Sequence, residues 1–268
     1  ILWHDGWVYL TVAPDLWRLK DTDDDGVADV REVVAHGFGN HIAYAGHDMH
    51  GPRLGVDGRI YWSIGDKGVN VTSREGNHFY YPHEGCVLRV EPDGAGFEVF
   101  AHGLRNVQEV AFDAWGNVLG VDNDADMTGE KERAVHILEG SDSGWRCGHQ
   151  YMKMESRWMR EGIWEMPHPQ QPLFVLPPVA MSLNGPAGFL WEPGTALGEW
   201  FRGKFLLNQF PSGDMSALTL EPRGASFEQT AVETVNRGIM GIGMAWGAEG
   251  AFYMSLALAP TSGARAEA

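Results

Sequence analysis

A chain of 268 residues with 44% hydrophobic side chains can bury a sizeable core, as one large β domain or two small ones. Its formal net charge of −16 excludes a nucleic-acid binder, which needs a basic footprint, but leaves cation binding open. No apolar run of about 18 residues occurs, so no membrane span is expected, and Cys86 and Cys147 form neither a CxxC nor a CxxCH pattern.

Read from the start, the chain opens in strand-like sequence, and Gly6-Trp-Val-Tyr-Leu-Thr is the first of five similar runs. The others are Gly58-Arg-Ile-Tyr-Trp-Ser, Gly116-Asn-Val-Leu-Gly-Val, Gly203-Lys-Phe-Leu-Leu-Asn and Gly250-Ala-Phe-Tyr-Met-Ser. Their glycines are 52, 58, 87 and 47 residues apart. Further strand-like pairs lie between them, such as Leu16–Lys20 with Val30–Val34, and Cys86–Val90 with Phe97–Phe100. Four short strands in a unit of about 45–55 residues describe a propeller blade, and helical periodicity is weak throughout. The expectation is an all-β chain, a β-propeller over 1–256 of about five blade units, followed by a patternless, disordered tail at 257–268. The 87-residue interval holds a Trp-, Met- and Pro-rich stretch near 145–186, read as an insertion between blades. No strand is expected before Gly6 and nothing after Ser255 completes the last unit, so the propeller is read as incomplete.

Asp21-Thr-Asp23-Asp-Asp25-Gly26-Val27-Ala-Asp29-Val-Arg-Glu32 matches the D-x-D-x-D-G-x5-E calcium loop. Side-chain oxygens of Asp21, Asp23, Asp25, Asp29 and Glu32 and the carbonyl of Val27 would wrap a calcium ion, while Gly26 makes the turn. The loop lies between strand-like runs, so its expected role is to pin a hairpin. Glu32 falls at the edge of the next strand. A solvated acidic turn is the alternative.

Downstream, His41, His47 and His50 precede the Gly58 strand, and Asp122-Asn-Asp124-Ala-Asp126 repeats an alternating acidic spacing. Imidazoles near an inner blade strand suit a ligand or general-base role. His47 and His50 would face opposite sides of a strand, so a turn is needed before they can share one ion. Arg105 and Asn106 enter the next blade, where a guanidinium suits a planar carboxylate or quinone oxygen.

These blocks carry a family resemblance. Gly46-His47 through Tyr61–Asp66, Gly103-Leu-Arg-Asn106 and Glu139–Arg146 resemble the soluble glucose dehydrogenases that depend on pyrroloquinoline quinone (PQQ), and their sorbosone-dehydrogenase-like relatives. The similarity is closer still to the membrane-bound-dehydrogenase type of propeller domain in planctomycete and verrucomicrobial proteins. The resemblance implies a six-bladed propeller with an axial site that oxidises a sugar or alcohol. It implies His47 as base, Arg105 as a catalytic or cofactor contact, Asn106 on the quinone, and Asp122 with Asp124 near a cofactor-side calcium. It further implies a c-type cytochrome domain or partner and a periplasmic or extracellular location. The family's late-blade Lys and Arg pair have no counterpart, since Asn208–Ser212 and Ile239–Met244 contain no cation. A propeller without catalysis, binding glycan or a protein partner, is the second expectation.

Overall fold

A computed structural model describes residues 1–42, 46–123, 125, 131–146, 155, 157–163, 176–194, 196–210 and 212–257. The expected tail and Cys147 lie outside these residues, Ala257 excepted. The described residues form a β-propeller.

The first blade is a four-stranded antiparallel meander, β1 (Leu2–His4), β2 (Trp7–Val12), β3 (Asp15–Lys20) and β4 (Val30–His36). The second runs β5 (Arg53–Leu54), β6 (Ile60–Ile64), β9 (Gly85–Val90) and β10 (Glu98–Leu104), with a hairpin β7 (Val69–Thr72) and β8 (His78–Tyr81) inserted. The third comprises β11 (Val107–Phe112), β12 (Val118–Asp122), β13 (Glu132–Ile137) and β15 (Ala180–Leu183). The short β14 (Ser141–Asp142) leaves it to pair in parallel with β10. The fourth comprises β16 (Pro186–Trp191), β17 (Phe205–Gln209), β18 (Asp214–Arg223) and β19 (Ser226–Asn236), and β20 (Gly241–Trp246) pairs with β21 (Phe252–Leu256).

The five repeated runs are β2, β6, β12, β17 and β21, the second strand of each sheet. The glycine leading into each has a positive φ, between 73° and 82°, which an L side chain adopts only with strain. That requirement explains why the repeat is legible. Two expectations are corrected. β1 supplies a strand before Gly6, too short to read as one. The stretch near 145–186 does not separate blades, because β15 returns from it as the outer strand of the third blade. Of that stretch, a single helical turn, α1 (Arg157–Arg160), is described.

The core lies between blades. Every residue of β6, β9, β12, β13 and β17 is buried, because each of these strands has a neighbouring sheet on both faces. Phe38, Trp62, Leu88 and Phe97 pack the first blade on the second, and Leu119, Phe189 and Leu207 pack the third on the fourth. At the centre, Arg53 on β5 donates to Glu109 on β11 at 2.8 Å and to the Met244 carbonyl on β20 at 2.7 Å. Glu109 also accepts the Phe189 N–H of β16 at 3.0 Å, and burial raises its carboxyl pKa. This one ion pair ties four inner strands together around the axis.

Candidate active site

The inner strands all start from one face of the propeller, and the loops on that face build the site. Met49 bridges Ile64 antiparallel, Gly65 N–H donates to the Asp48 carbonyl and His50 N–H to that of Ser63. Continuing this register sets His47 opposite Asp66. Their side chains meet, with His47 Nδ1 2.7 Å from Asp66 Oδ1. A carboxylate can only accept, so Nδ1 carries a proton, and in the neutral imidazole it is Nε2 that holds the lone pair.

His50 does different work. Its Nε2 lies 2.8 Å from Asn106 Oδ1, while Asn106 Nδ2 donates to the Gly46 carbonyl at 3.1 Å. The carbonyl fixes which end of the amide is nitrogen, and that in turn fixes His50 as the Nε2–H tautomer. Burial pushes the His50 imidazole down to about 4, so it stays neutral. His47 and His50 therefore share no ligand, and His41 pairs edge-on with the His36 ring instead. Gly65 makes the close approach possible, since a Cβ there would lie 2.7 Å from both Asn106 Oδ1 and the His47 carbonyl oxygen.

Arg105 and Asn106 form the turn between β10 and β11, held by Asp122. Asp122 is 0% exposed, and its carboxylate accepts the Arg105 N–H at 3.0 Å, the Asn106 N–H at 2.7 Å and Arg133 Nη2 at 2.9 Å. Its oxygens are thus spent on the Arg105–Asn106 turn and on Arg133, in place of the cofactor-side calcium that the resemblance implied. Asp124 lies outside the described residues. The Arg105 guanidinium donates to the Asn123 carbonyl at 2.6 Å and to Asn123 Oδ1 at 2.9 Å, and lies over the Trp145 ring. It positions Asn123.

Asn123 and Gly46, the residue before His47, line a common axial cavity of about 240 Å3. Gln108, Pro186, Ala187, Phe210 and Ile242 complete most of its wall. The cavity thus adjoins the His47 loop through Gly46 and reaches Arg105 through its partner Asn123, while His47 and Arg105 are not among its wall residues. Sequence reading missed Asp66, which lies 19 residues from His47 and reaches it through strand register alone. It also missed Gln108 and Asn123 as wall residues, although both flank segments it singled out.

The acidic loop lies elsewhere. It joins β3 to β4 at the Lys20–Val30 end of their ladder, whereas the Asp15–His36 end leads to Gly37 and Phe38 beside Gly68 and Val69 on the site's face. Asp21, Asp23 and Asp29 bring carboxylate oxygens within 4.8 Å of one another. Asp21 accepts N–H groups of Asp24 and Gly26, each at 2.8 Å, which lowers its pKa. Asp25 is turned onto the Val27 N–H at 2.7 Å. Glu32 departs from the expected ligand set, because on β4 it pairs with Arg18 across the ladder at 2.6 Å.

Residues 1–168 match the family model described as a domain of unknown function, DUF7133. The chain belongs to the DUF7133 family. No curated protein matches it. Among solved structures, this DUF7133 chain is similar to a PQQ-bound aldose sugar dehydrogenase from Streptomyces coelicolor, at 17% identity and a TM-score of 0.58 over 89% of the chain and 65% of that protein. It also resembles the apo aldose sugar dehydrogenase of Escherichia coli, at 12% identity and TM-score 0.58 over 92% of the chain and 72% of that protein. A glucose dehydrogenase matches at 16% identity and TM-score 0.62, over 93% and 74%. At these identities the likeness establishes the propeller fold of the DUF7133 chain. Among the described residues, no helix is long and apolar enough to cross a membrane.

Proposed function

We propose that this chain is an oxidoreductase-type propeller domain that takes a sugar or other alcohol at its axial cavity, with His47 as general base. The His47–Asp66 pair beside the cavity carries the reading. An imidazole whose Nδ1–H is spent on a carboxylate is oriented, and its Nε2 is left to receive a hydroxyl proton. Asn106 holds the loop that presents His47, and Arg105 acts through Asn123.

Oxidising an alcohol also needs a two-electron acceptor, and a quinone-type group supplies that chemistry. PQQ itself, with three carboxylates, does not fit the described wall, which offers amides and apolar groups and no cation. The basic side chains on this face are already committed: Lys67 to Asp48, Arg105 to Asn123, Arg133 to Asp122, and Arg146 to Glu84 and Asp142. Electrons pass onward to a c-type cytochrome domain or partner, in the periplasm or outside the cell. Calcium suits the cluster of Asp21, Asp23 and Asp29, which offers hard oxygen donors, and its role there is to pin the β3–β4 hairpin.

Dye reduction by the full chain over a panel of sugars and alcohols, with calcium and quinones added, tests the reading. Substrate-dependent reduction that His47→Asn abolishes supports it. The uncharged wall favours one other reading, a propeller that binds neutral glycan without turnover. Saturable glycan binding with no reduction of any acceptor would decide for that reading.

A further inference from the structure

The axial cavity is polar without being charged, and this combination selects among electron acceptors. Resting on the function proposed above, we infer that the cavity takes an uncharged quinone, a planar ring whose carbonyls are met by amides, and not a polyanionic one.

Three observations carry this. Arg105 can only donate, so the Asn123 atom facing it is Oδ1, which leaves the Nδ2 donor of this wall residue turned away from the guanidinium. Gln108 spends one N–H on the Gly46 carbonyl and retains its amide oxygen and second N–H. Pro186, Ala187, Phe210 and Ile242 supply apolar surface for a ring.

A further observation lies behind the wall. Asn208 on β17 is 1% exposed, and neither its Nδ2 nor its Oδ1 has a hydrogen-bond partner. It is closed in by Gly188 and Gly241, where a Cβ would lie 3.1 and 2.5 Å from Nδ2. Native proteins rarely leave a buried amide unbonded without a functional reason. A tricarboxylate entering here would meet the Gln108 amide oxygen and no cation in the wall, in a chain of net charge −16. A neutral carbonyl meets no such penalty. Amides also offer a donor and an acceptor together. They can therefore satisfy a carbonyl in the oxidised ligand and a hydroxyl in the reduced one.

The reaction balances without another partner. His47 Nε2 takes the hydroxyl proton, the adjacent C–H bond breaks with its electron pair leaving as hydride, and the alcohol becomes a carbonyl compound. A quinone held in the cavity would accept that hydride, and the proton returned from His47 would complete the hydroquinone and restore the free base.

The test is equilibrium binding to the full chain by calorimetry, with an uncharged dimethoxy-methyl-benzoquinone in one arm and PQQ in the other. Saturable binding of the benzoquinone, insensitive to salt and tighter than that of PQQ, is expected. Gln108→Leu should weaken it about three- to tenfold, the equivalent of one neutral hydrogen bond. Asn208→Leu should raise the melting temperature of the ligand-free protein, since it removes an unbonded buried amide. PQQ binding as tight as or tighter than that of the benzoquinone, or no binding of the benzoquinone, overturns the inference. His47→Asn separates this from the parent reading. Retained quinone binding with unchanged alcohol oxidation in that variant would sink the base and leave the quinone site standing. PQQ binding with turnover lost in His47→Asn would do the reverse.

Discussion

His47 and His50 lie three residues apart and donate from different ring nitrogens, Nδ1 to Asp66 and Nε2 to Asn106. His50 is kept neutral by burial and spends its one proton on Asn106. Its folded pKa of about 4 lies below the ordinary 6.5, so the unfolded chain binds the extra proton first as pH falls. Its contribution to stability is therefore intact above about pH 6.5 and declines toward pH 4, by up to about 3 kcal/mol. Urea unfolding across that window should show a slope that His50→Gln flattens; identical slopes would refute the assignment. Gly65→Ala tests the neighbouring contact, since its Cβ must displace Asn106 or the His47 carbonyl. Loss of activity with about 1–3 kcal/mol of destabilisation is expected, and wild-type behaviour would contradict it. His47, Arg105 and Asn106 were legible as local blocks. What Arg105 does was not, because a guanidinium reads as a ligand clamp until Asn123 is seen to occupy it.

The acidic loop shows how far a contiguous motif carries. Its twelve residues fold locally, so Asp21, Asp23 and Asp29 could be recognised from spacing alone, and they do converge. Glu32 could not, since the β3–β4 register places it against Arg18. Calcium should raise the melting temperature of the chain. Asp29→Asn should abolish the rise and Glu32→Gln should preserve it. A rise lost in Glu32→Gln would restore the full twelve-residue ligand set and contradict the Arg18 pairing as its resting role.

At the scale of the whole molecule, the repeat was visible because a positive-φ glycine recurs before every second strand. Closure around the axis was not visible. The Arg53–Glu109 pair joins residues 56 apart, and Arg53 reaches Met244 across 191. Such a contact leaves no local pattern. Glu109→Leu strands a half-buried guanidinium and should cost about 1–3 kcal/mol in chemical denaturation, most of it recovered in the double variant with Arg53→Met. Additive losses would show that the two side chains act independently.

The long segment near 145–186 marks the same limit: composition exposed it, but only the pairing of β15 with β13 placed it inside the third blade. The central claim is that these blades converge on a cavity where His47 removes a hydroxyl proton. Steady-state alcohol-dependent reduction by wild type and His47→Asn, at matched melting temperature, tests it most directly. A fall of about a hundredfold or more in kcat is the expected result. Equal rates in the two proteins would contradict the account.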